Sequence, residues 1–310
     1  MKANTGDWEK GIKPYFKQIS RLSFKGRQWN RKNILEARDF LSPWDHNIKL
    51  PYDIFTAFCE DYYPAHKEIM NVINQQLGGN FKNKSIIDIG CLEGYFSAEC
   101  ALQGASVLGI DGKVINVKKC ELVKSVLGVK NLKFAKDDAM RVTKSKYGSF
   151  DAVLALGLLY HLDNPFKFLK NMHDLCNGFM VLDTHIALIE QPETLEGSWR
   201  PDLSSLKEFK IGNKTYTGRL YREFEAGTSQ LSKDLSRTTS LKNDLSVWLT
   251  EDSLVSLLRD VGFEQVSKIV FPKIERGSKM WWTDTQWDAR VLVLAIKKRE
   301  PFKSKIFTDS

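Results

Sequence analysis

Apolar and polar positions form a regular alternation from residue 84 onward. Short apolar runs predict buried strands, and the segments between them have the spacing of amphipathic helices. The predicted strands cover residues 85–89, 106–110, 132–135, 152–156 and 179–183, and the predicted helices cover residues 95–103, 114–127 and 165–176. Because strands that alternate with helices are joined by right-handed crossovers, this part of the chain predicts a parallel sheet.

The alternation is interrupted once and then continues. Residues 190–247 are polar, which predicts an insertion over the carboxyl edge of the sheet, where open α/β folds bind ligands. Residues 250–261 predict a helix with Thr250 as its N-cap. Residues 264–271 and 291–296 predict two further strands that complete the sheet.

The two ends of the chain differ from this central part. Residues 1–80 are rich in aromatic side chains and have no strand-rich pattern, and the helical spacing over residues 52–77 is interrupted by Pro64. The sequence therefore predicts a helical N-terminal extension or cap over residues 1–80, a core domain over residues 81–300 and a tail over residues 301–310.

Composition limits the function classes. The 310 residues contain no long apolar run, so we expect a cytoplasmic protein that does not enter a membrane. The five cysteines include no C-x-x-C pair, which argues against a zinc site or a disulfide framework. A formal net charge of +8 is compatible with an anionic partner such as RNA, but dispersed lysines serve solubility equally well.

The chemistry is concentrated at the ends of the first three predicted strands. The segment DIGCLEGYFS begins at Asp88 and contains Gly90 and Gly94, which let the backbone approach a ligand. Asp111 lies 23 residues further on, where a carboxylate can accept both hydroxyls of a ribose, and Asp138 could accept an adenine amine.

The same layout of glycines and carboxylates also has two other interpretations. A nicotinamide enzyme would need G-x-G-x-x-G and a pyrophosphate at the helix N-terminus, where this chain has only G-x-x-x-G. Acidic Glu93 would repel that pyrophosphate, so a cationic cofactor without phosphate fits better. The remaining alternative is a plain strand–turn–helix with structural glycines.

These segments resemble the class I S-adenosylmethionine-dependent methyltransferases. DIGCLEGYFS, VLGIDG, KDDA and FDAVLALGLLYHLDNPFKFL are similar to four of that family's motifs, except that Leu92 replaces the usual third glycine. The resemblance implies a Rossmann-like, mostly parallel seven-stranded sheet with an antiparallel last strand, S-adenosylmethionine as cofactor and S-adenosylhomocysteine as product. The cofactor contacts that it implies are Asp88, Gly90, Cys91, Gly94, Tyr95, Phe96, Asp111, Gly112, Asp138, Ala139 and Leu156.

Candidate catalytic residues stand at the ends of the fourth and fifth strands. His161 is a candidate base or acceptor contact, and the two-residue spacing of Asp183 and His185 puts both on one face of a strand. No complete metal site can be assembled there. The candidate acceptor contacts are Tyr160, Tyr216, Arg219, Tyr221 and Arg222, and Trp281 and Trp282 could also line the acceptor pocket. His66 is a weaker candidate for covering the cofactor.

The sequence leaves three functions open. The leading hypothesis is O- or N-methylation of a small molecule, such as a sugar or an anionic compound, enclosed by the insertion and the N-terminal extension. The second is RNA modification, because GLLYHLDNPFKFL is similar to the corresponding loop of the family that transfers a carboxymethyl group to the wobble uridine of tRNA. The third is a cofactor-binding protein without catalysis. The oligomeric state is left open.

Overall fold

The computed structural model describes residues 5–57, 64–190, 202–270 and 290–297. The helices are α1 (Thr5–Ser20), α2 (Arg31–Phe40), α3 (Pro64–Gln76), α4 (Tyr95–Leu102), α5 (Val114–Leu127), α6 (Lys144–Tyr147), α7 (Pro165–Leu175), α8 (Gln230–Leu235) and α9 (Glu251–Asp260). The strands are β1 (Lys49–Leu50), β2 (Ile54–Phe55), β3 (Ser85–Ile89), β4 (Ser106–Asp111), β5 (Leu132–Lys136), β6 (Phe150–Leu156), β7 (Cys176–His185), β8 (Lys207–Ile211), β9 (Lys214–Arg222), β10 (Leu245–Leu249), β11 (Gln265–Ile269) and β12 (Arg290–Ile296).

The main sheet has seven strands in the order β11-β12-β7-β6-β3-β4-β5. The strands from β7 to β5 are parallel to their neighbours, whereas β12 runs antiparallel to both β7 and β11. This arrangement confirms the predicted Rossmann-like sheet with an antiparallel last strand. It also brings the carboxyl ends of β3, β4, β6 and β7 to one edge.

The apolar runs of the strands are buried because both faces of the sheet are covered. Along β3, Ile86 packs with Ile19 and Ile73 of the N-terminal helices on one face. Ile87 and Ile89 project to the other face, where they pack with α7, α9 and the insertion. Alternate positions of one strand thus join two separate hydrophobic clusters.

The N-terminal extension differs from the prediction at one place. Residues 49–55 form a small antiparallel hairpin of β1 and β2 at the start of the segment whose spacing predicted a helix over residues 52–77. Within that segment, α3 covers Pro64–Gln76. α1 and α2 contact α5, so this extension packs on the core domain.

The insertion forms a small sheet of its own. Strands β8, β9 and β10 pair antiparallel in the order β10-β9-β8, where the polar composition had predicted an insertion without assigning strands to it. Thr250 then caps α9 by accepting a hydrogen bond from the Ser253 N–H, which confirms the predicted helix start. Residues 191–201 of the insertion and the predicted tail over residues 301–310 lie outside the described residues.

Two expectations from composition can be compared with the described residues. Cys91, Cys100, Cys120 and Cys176 are free and buried, and Cys59 lies outside the described part. No helix in the described residues is long and apolar enough to span a membrane.

Candidate active site

A cavity of about 640 Å³ lies at the carboxyl edge of the main sheet. Its base is formed by the strand-end residues Asp88, Asp111 and Asp183. The N-terminal extension contributes His46 and His66 to one wall, and residues 237–243 of the insertion form another. The volume is within the range of about 300–1,000 Å³ that is usual for small-molecule sites.

The turn between β3 and α4 approaches the cavity closely because of its backbone conformation. Gly90 and Gly94 have φ angles of 73° and 83°. Leu92, which stands where the usual motif has a third glycine, also has a positive φ of 52°. Its N–H donates to Asp111 Oδ2 at 3.1 Å, and this bond helps to hold a leucine in a region that costs a non-glycine residue about 1–2 kcal/mol. The turn therefore forms although leucine replaces the usual glycine in this motif.

Two buried carboxylates end the first two strands of the site. Asp88 accepts a hydrogen bond from Ser97 Oγ at 2.6 Å, and Asp111 accepts from the N–H of Lys113 at 2.8 Å. Burial raises the pKa of Asp88 and of Asp111 to about 6. Burial outweighs the donors that these carboxylates already have, which for Asp111 include the Leu92 N–H and the Asn116 side chain, so further hydroxyl or ammonium donors from a ligand would stabilise the ionised forms. A ribose supplies hydroxyl donors and an amino acid moiety supplies an ammonium donor, so both groups match these carboxylates.

The adenine end of the predicted site is covered by the insertion. A Cβ on Gly112 would lie 2.8 Å from Leu241 Cδ2, so the loop after β4 packs directly on the insertion. Asp138 accepts from the Met140 N–H and pairs with Lys242 Nζ at 3.1 Å. An adenine amine would have to share this carboxylate with Lys242.

Most of the predicted cofactor contacts lie on the cavity wall. These are Asp88, Gly90, Cys91, Phe96, Asp111, Gly112, Asp138, Ala139 and Leu156. Gly94 and Tyr95 do not line the cavity. Gly94 precedes α4 at a place where a Cβ would lie 2.8 Å from the Phe134 ring, and Tyr95 packs against His66 with ring centroids 4.7 Å apart. Both residues thus support the wall from behind.

Glu93 corrects one argument made from the sequence. Its fully buried carboxylate faces away from the cavity and accepts hydrogen bonds from the N–H groups of Asp45 and His46. It also pairs with Lys119 Nζ at 2.6 Å and with Arg237 at 3.5 Å. Glu93 therefore joins the core to the N-terminal extension and the insertion, and it does not oppose a pyrophosphate as we expected.

Tyr160 and His161, the predicted acceptor contact and candidate base, both line the cavity. Both belong to the loop after β6, and their rings pack with centroids 4.2 Å apart. His161 Nδ1 lies 2.8 Å from Glu223 Oε1, and the Glu223 side chain is only 1% exposed. Glu223 follows β9 and comes from the insertion, so two distant segments meet at this histidine.

Asp183 and His185 have different environments although they share a strand face. Arg290 binds both carboxylate oxygens of Asp183 and contacts His185 Nε2 at 3.2 Å. Burial raises the pKa of Asp183, against the lowering influence of the Arg290 guanidinium. Asp183 lines the cavity, whereas His185 stacks on Trp248 behind it. Asp183 and Arg290 therefore form an ion-paired part of the cavity wall, and His185 lies behind it.

Four predicted acceptor contacts lie away from the cavity wall. Arg219 is buried and donates to the carbonyl groups of residues 188, 189 and 204. Tyr216 donates to Asp260, Arg222 pairs with Asp202 at the surface, and Tyr221 packs on Trp248. Their partners hold the small sheet of the insertion together, so the structure does not bring these residues to an acceptor. Trp281 and Trp282 lie outside the described residues.

Several wall residues were missed in the sequence. The position of Arg290 could have been predicted from the sequence. The last strand runs antiparallel to β7, so the first residue of that strand lies beside the carboxyl end of β7. His46 and Glu223 carry no local motif. Burial near Lys119 lowers the pKa of His46 to about 3, so this wall residue is neutral near pH 7.

Lys113 connects the cofactor loop to the insertion. Its Nζ donates to the carbonyl groups of Lys233 and Ser236 and to Thr239 Oγ1 at 2.9 Å. Burial lowers the pKa of Lys113 to about 8. The ammonium group thus fixes the loop that forms one wall, two residues after Asp111.

Comparison with known proteins identifies the family. A family model described as a methyltransferase domain matches residues 63–268, which is more than half of the chain.

The chain belongs to this methyltransferase family.

Relatives and solved structures agree with that assignment. The methyltransferase is 24% identical over 290 residues to the tRNA U34 carboxymethyltransferase of Nautilia profundicola, covering 79% of this chain and 90% of that protein. It is 27% identical over 238 residues to the protein of the same name from Methylococcus capsulatus, covering 74% and 69% of the two chains. The N-terminal domain of EvdMO1 with SAH bound has the same fold, with a TM-score of 0.63, 23% identity and coverage of 90% and 100%.

The comparisons also bear on the cofactor. The family model is that of a methyltransferase domain, as the resemblance to the S-adenosylmethionine-dependent enzymes implied, and the solved structure with the same fold holds SAH. The cavity of this chain suits S-adenosylmethionine, because Asp88 and Asp111 offer buried acceptors and the turn with Gly90 leaves room for close approach. When bound, the cofactor supplies an electrophilic methyl group, and the residues of this chain position it and the acceptor.

Proposed function

We propose that this methyltransferase transfers a methyl group to a small-molecule acceptor. The acceptor binds at the end of the cavity formed by Tyr160, His161 and the Asp183–Arg290 pair. The observation that carries the proposal is the charge balance of this cavity. Its deep cations are already held by acidic groups or by oxygens of the protein.

The described cations of the cavity wall show this balance individually. Arg290 binds Asp183, Arg237 binds Asp45 and Glu93, and Lys242 binds Asp138. The ammonium group of Lys113 donates to oxygens of the insertion, and Lys167 is exposed at the rim. RNA-binding surfaces instead need cations that can neutralise phosphates. This wall is therefore better suited to an acceptor of low charge.

The same balance bears on the cofactor. A carboxymethyl donor carries an additional carboxylate near its sulfonium, and that carboxylate needs a cation. At the reacting end, Arg290 is the nearest candidate, but Asp183 already accepts from its Nε and Nη2 atoms, and its Nη1 contacts His185. His46 is neutral because burial lowers its pKa to about 3. We infer that unmodified S-adenosylmethionine is the methyl donor.

One observation favours a second function. The relatives from Nautilia profundicola and Methylococcus capsulatus are named tRNA U34 carboxymethyltransferase, and the first is matched over 90% of its length. A tRNA substrate would place a flipped-out wobble base in the cavity. In that case Arg290 would have to exchange Asp183 for the carboxylate of the donor.

Binding measurements separate the two functions. Calorimetric titration with S-adenosylmethionine and with its derivative carboxylated on the transferable carbon should show tighter binding of the unmodified compound, by about tenfold or more. Tighter binding of the carboxylated derivative would contradict the proposal.

A tRNA titration provides an independent check. Fluorescence anisotropy with total tRNA at 50 and 200 mM salt should show no saturable binding, because the cavity cations are paired. Saturable binding that weakens by about 10³-fold or more between these salt concentrations would favour the tRNA-modifying alternative.

A further inference from the structure

His161 and Glu223 form a hydrogen-bonded pair at the reacting end of the cavity. The bond joins Nδ1 of the histidine to Oε1 of the carboxylate at 2.8 Å. His161 lines the cavity with a side chain that is 13% exposed, while Glu223 lies behind it with 1% exposure. The carboxylate is thus shielded from solvent and lies behind the imidazole.

The position of Glu223 is fixed by two further donors. Oε1 also accepts from Ser246 Oγ at 2.9 Å, and Oε2 accepts from the N–H of Ser240 at 3.1 Å. Three donors converge on one carboxylate, so its orientation relative to His161 is strongly constrained. Because Glu223 acts as an acceptor toward Ser246 and Ser240, we take it as the acceptor toward His161 as well, which puts the proton on Nδ1. The neutral ring then has an unprotonated Nε2.

From this geometry we propose that His161 is the general base for a hydroxyl acceptor and that Glu223 is its positioning residue. The proposal rests on the proposed small-molecule function and specifies the accepting group. Glu223 holds the ring in one orientation and one tautomer, and its charge stabilises the imidazolium that forms when the base takes a proton.

The proposed methyl transfer involves the acceptor hydroxyl, S-adenosylmethionine and His161. The acceptor oxygen forms a bond to the methyl carbon while the bond from that carbon to sulfur breaks, and the electron pair of the broken bond remains on sulfur. The hydroxyl proton passes to Nε2 of His161 as the oxygen attacks. The products are the methyl ether, S-adenosylhomocysteine and an imidazolium ion paired with Glu223, which later releases its proton to solvent.

The presence of a positioned base narrows the acceptor class. A neutral amine can attack through its free lone pair and lose its proton afterwards, and an ionised carboxylate or thiolate has no proton to lose. An alcohol is a weak nucleophile until its proton is removed, so it gains most from a base. The His161–Glu223 pair therefore favours a hydroxyl over these other groups.

Nitrogen NMR of histidine tests the tautomer without any acceptor. The chain has five histidines, and loss of one signal in His161→Gln assigns the resonance. On the neutral ring we expect a protonated Nδ1 and an unprotonated Nε2. A ring protonated at Nε2 instead would overturn the assignment of His161 as base, whether or not the acceptor is known.

Transfer assays test the role in the reaction. The probes are labelled S-adenosylmethionine and a protein-free small-molecule extract of the source cells, and the methylated atom of the product is identified by mass spectrometry and NMR. His161→Gln should lower kcat by about 10²-fold or more, the usual contribution of a general base, and Glu223→Gln by about tenfold. The exposed Glu225→Gln serves as the matched control and should leave kcat unchanged.

A double variant distinguishes positioning from folding. If Glu223 acts through His161, then the His161→Gln/Glu223→Gln protein should be no slower than His161→Gln alone, and all variants should bind S-adenosylhomocysteine within about twofold of wild type. Additive losses in kcat, or a product methylated on nitrogen, would overturn the proposal. If no small molecule becomes labelled, the proposed function is contradicted. The NMR measurement of the His161 tautomer would still test the role of the His161–Glu223 pair.

Discussion

Asp88 and Asp111 illustrate at the scale of single residues how a fold prepares a carboxylate for a ligand. Each ends a buried strand, and each has a pKa raised to about 6 because burial removes its hydration. The sequence predicted both residues from their place after an apolar run. It could not predict Glu223, which no motif marks and which reaches His161 only through the folded insertion.

Replacing Asp111 should weaken cofactor binding. Asp111→Ala removes the acceptor for the ribose hydroxyls and should raise the Kd for S-adenosylhomocysteine by about tenfold or more, as expected for loss of a charge-assisted hydrogen bond. Calorimetry measures this change. Asp202→Ala, which removes an exposed carboxylate of the insertion, is the control and should leave the Kd unchanged. Equal affinity of the two variants would contradict the placement of the ribose.

The raised pKa values also predict a pH dependence. Without ligand, each carboxylate binds its proton more tightly in the folded protein than in the unfolded chain, where the pKa is 3.8. The stability that this proton contributes is therefore present below pH 3.8 and is lost as pH rises through about 6.

Cofactor affinity should follow the opposite trend. Hydroxyl donors prefer the ionised carboxylate, so binding of S-adenosylhomocysteine should strengthen by about tenfold between pH 5 and pH 7. Calorimetric titrations at several pH values test this, and Asp111→Asn should flatten the dependence. A wild-type affinity that is constant over this range would contradict the account of these carboxylates.

At the scale of elements, the predicted strands and helices agree with the structure wherever apolar periodicity was strong. β3, β4 and β6 lie where short buried runs placed them. The sequence did not show the hairpin of β1 and β2, because two-residue strands leave no periodic signal. It also did not show the sheet of the insertion, whose pairing depends on packing against α7 and α9.

The turn before α4 provides a test at this scale. Gly94 and Gly128 both have positive φ angles, but only a Cβ on Gly94 would meet another group, the Phe134 ring at 2.8 Å. Gly128→Ala should cost about 1–2 kcal/mol in the free energy of unfolding. Gly94→Ala should cost about 1–3 kcal/mol more, because the added methyl group overpacks the turn. Equal losses in chemical denaturation would show that this contact is not restrictive.

Arg237 should couple the insertion to the N-terminal extension. It pairs with Asp45 and Glu93, and its side chain is only 19% exposed. Arg237→Ala should lower the free energy of unfolding by roughly 1–3 kcal/mol, less than for a fully buried pair, and should also weaken S-adenosylhomocysteine binding. Arg222→Ala removes an exposed ion pair from the same insertion and should change neither quantity measurably. If both variants show the same free energy of unfolding and the same S-adenosylhomocysteine affinity, Arg237 does not couple the insertion to the N-terminal extension.

At the scale of the whole molecule, the candidate site exists only where three parts of the chain meet. The core supplies the strand ends, the extension supplies His46 and His66, and the insertion supplies residues 237–243 and Glu223. Motifs placed the cofactor residues because those lie next to one another in sequence. The acceptor side depends on contacts between distant segments, so Tyr216, Arg219, Tyr221 and Arg222 were selected by residue type and lie elsewhere.

The most direct test of the account is transfer of labelled methyl from S-adenosylmethionine to two fractions of the source cell, RNA and small metabolites. We expect label in the small-metabolite fraction that resists ribonuclease and decreases with Asp111→Ala at subsaturating S-adenosylmethionine. Label that enters RNA and is released by ribonuclease, with none in small metabolites, would contradict it and would assign the cavity to a nucleotide base.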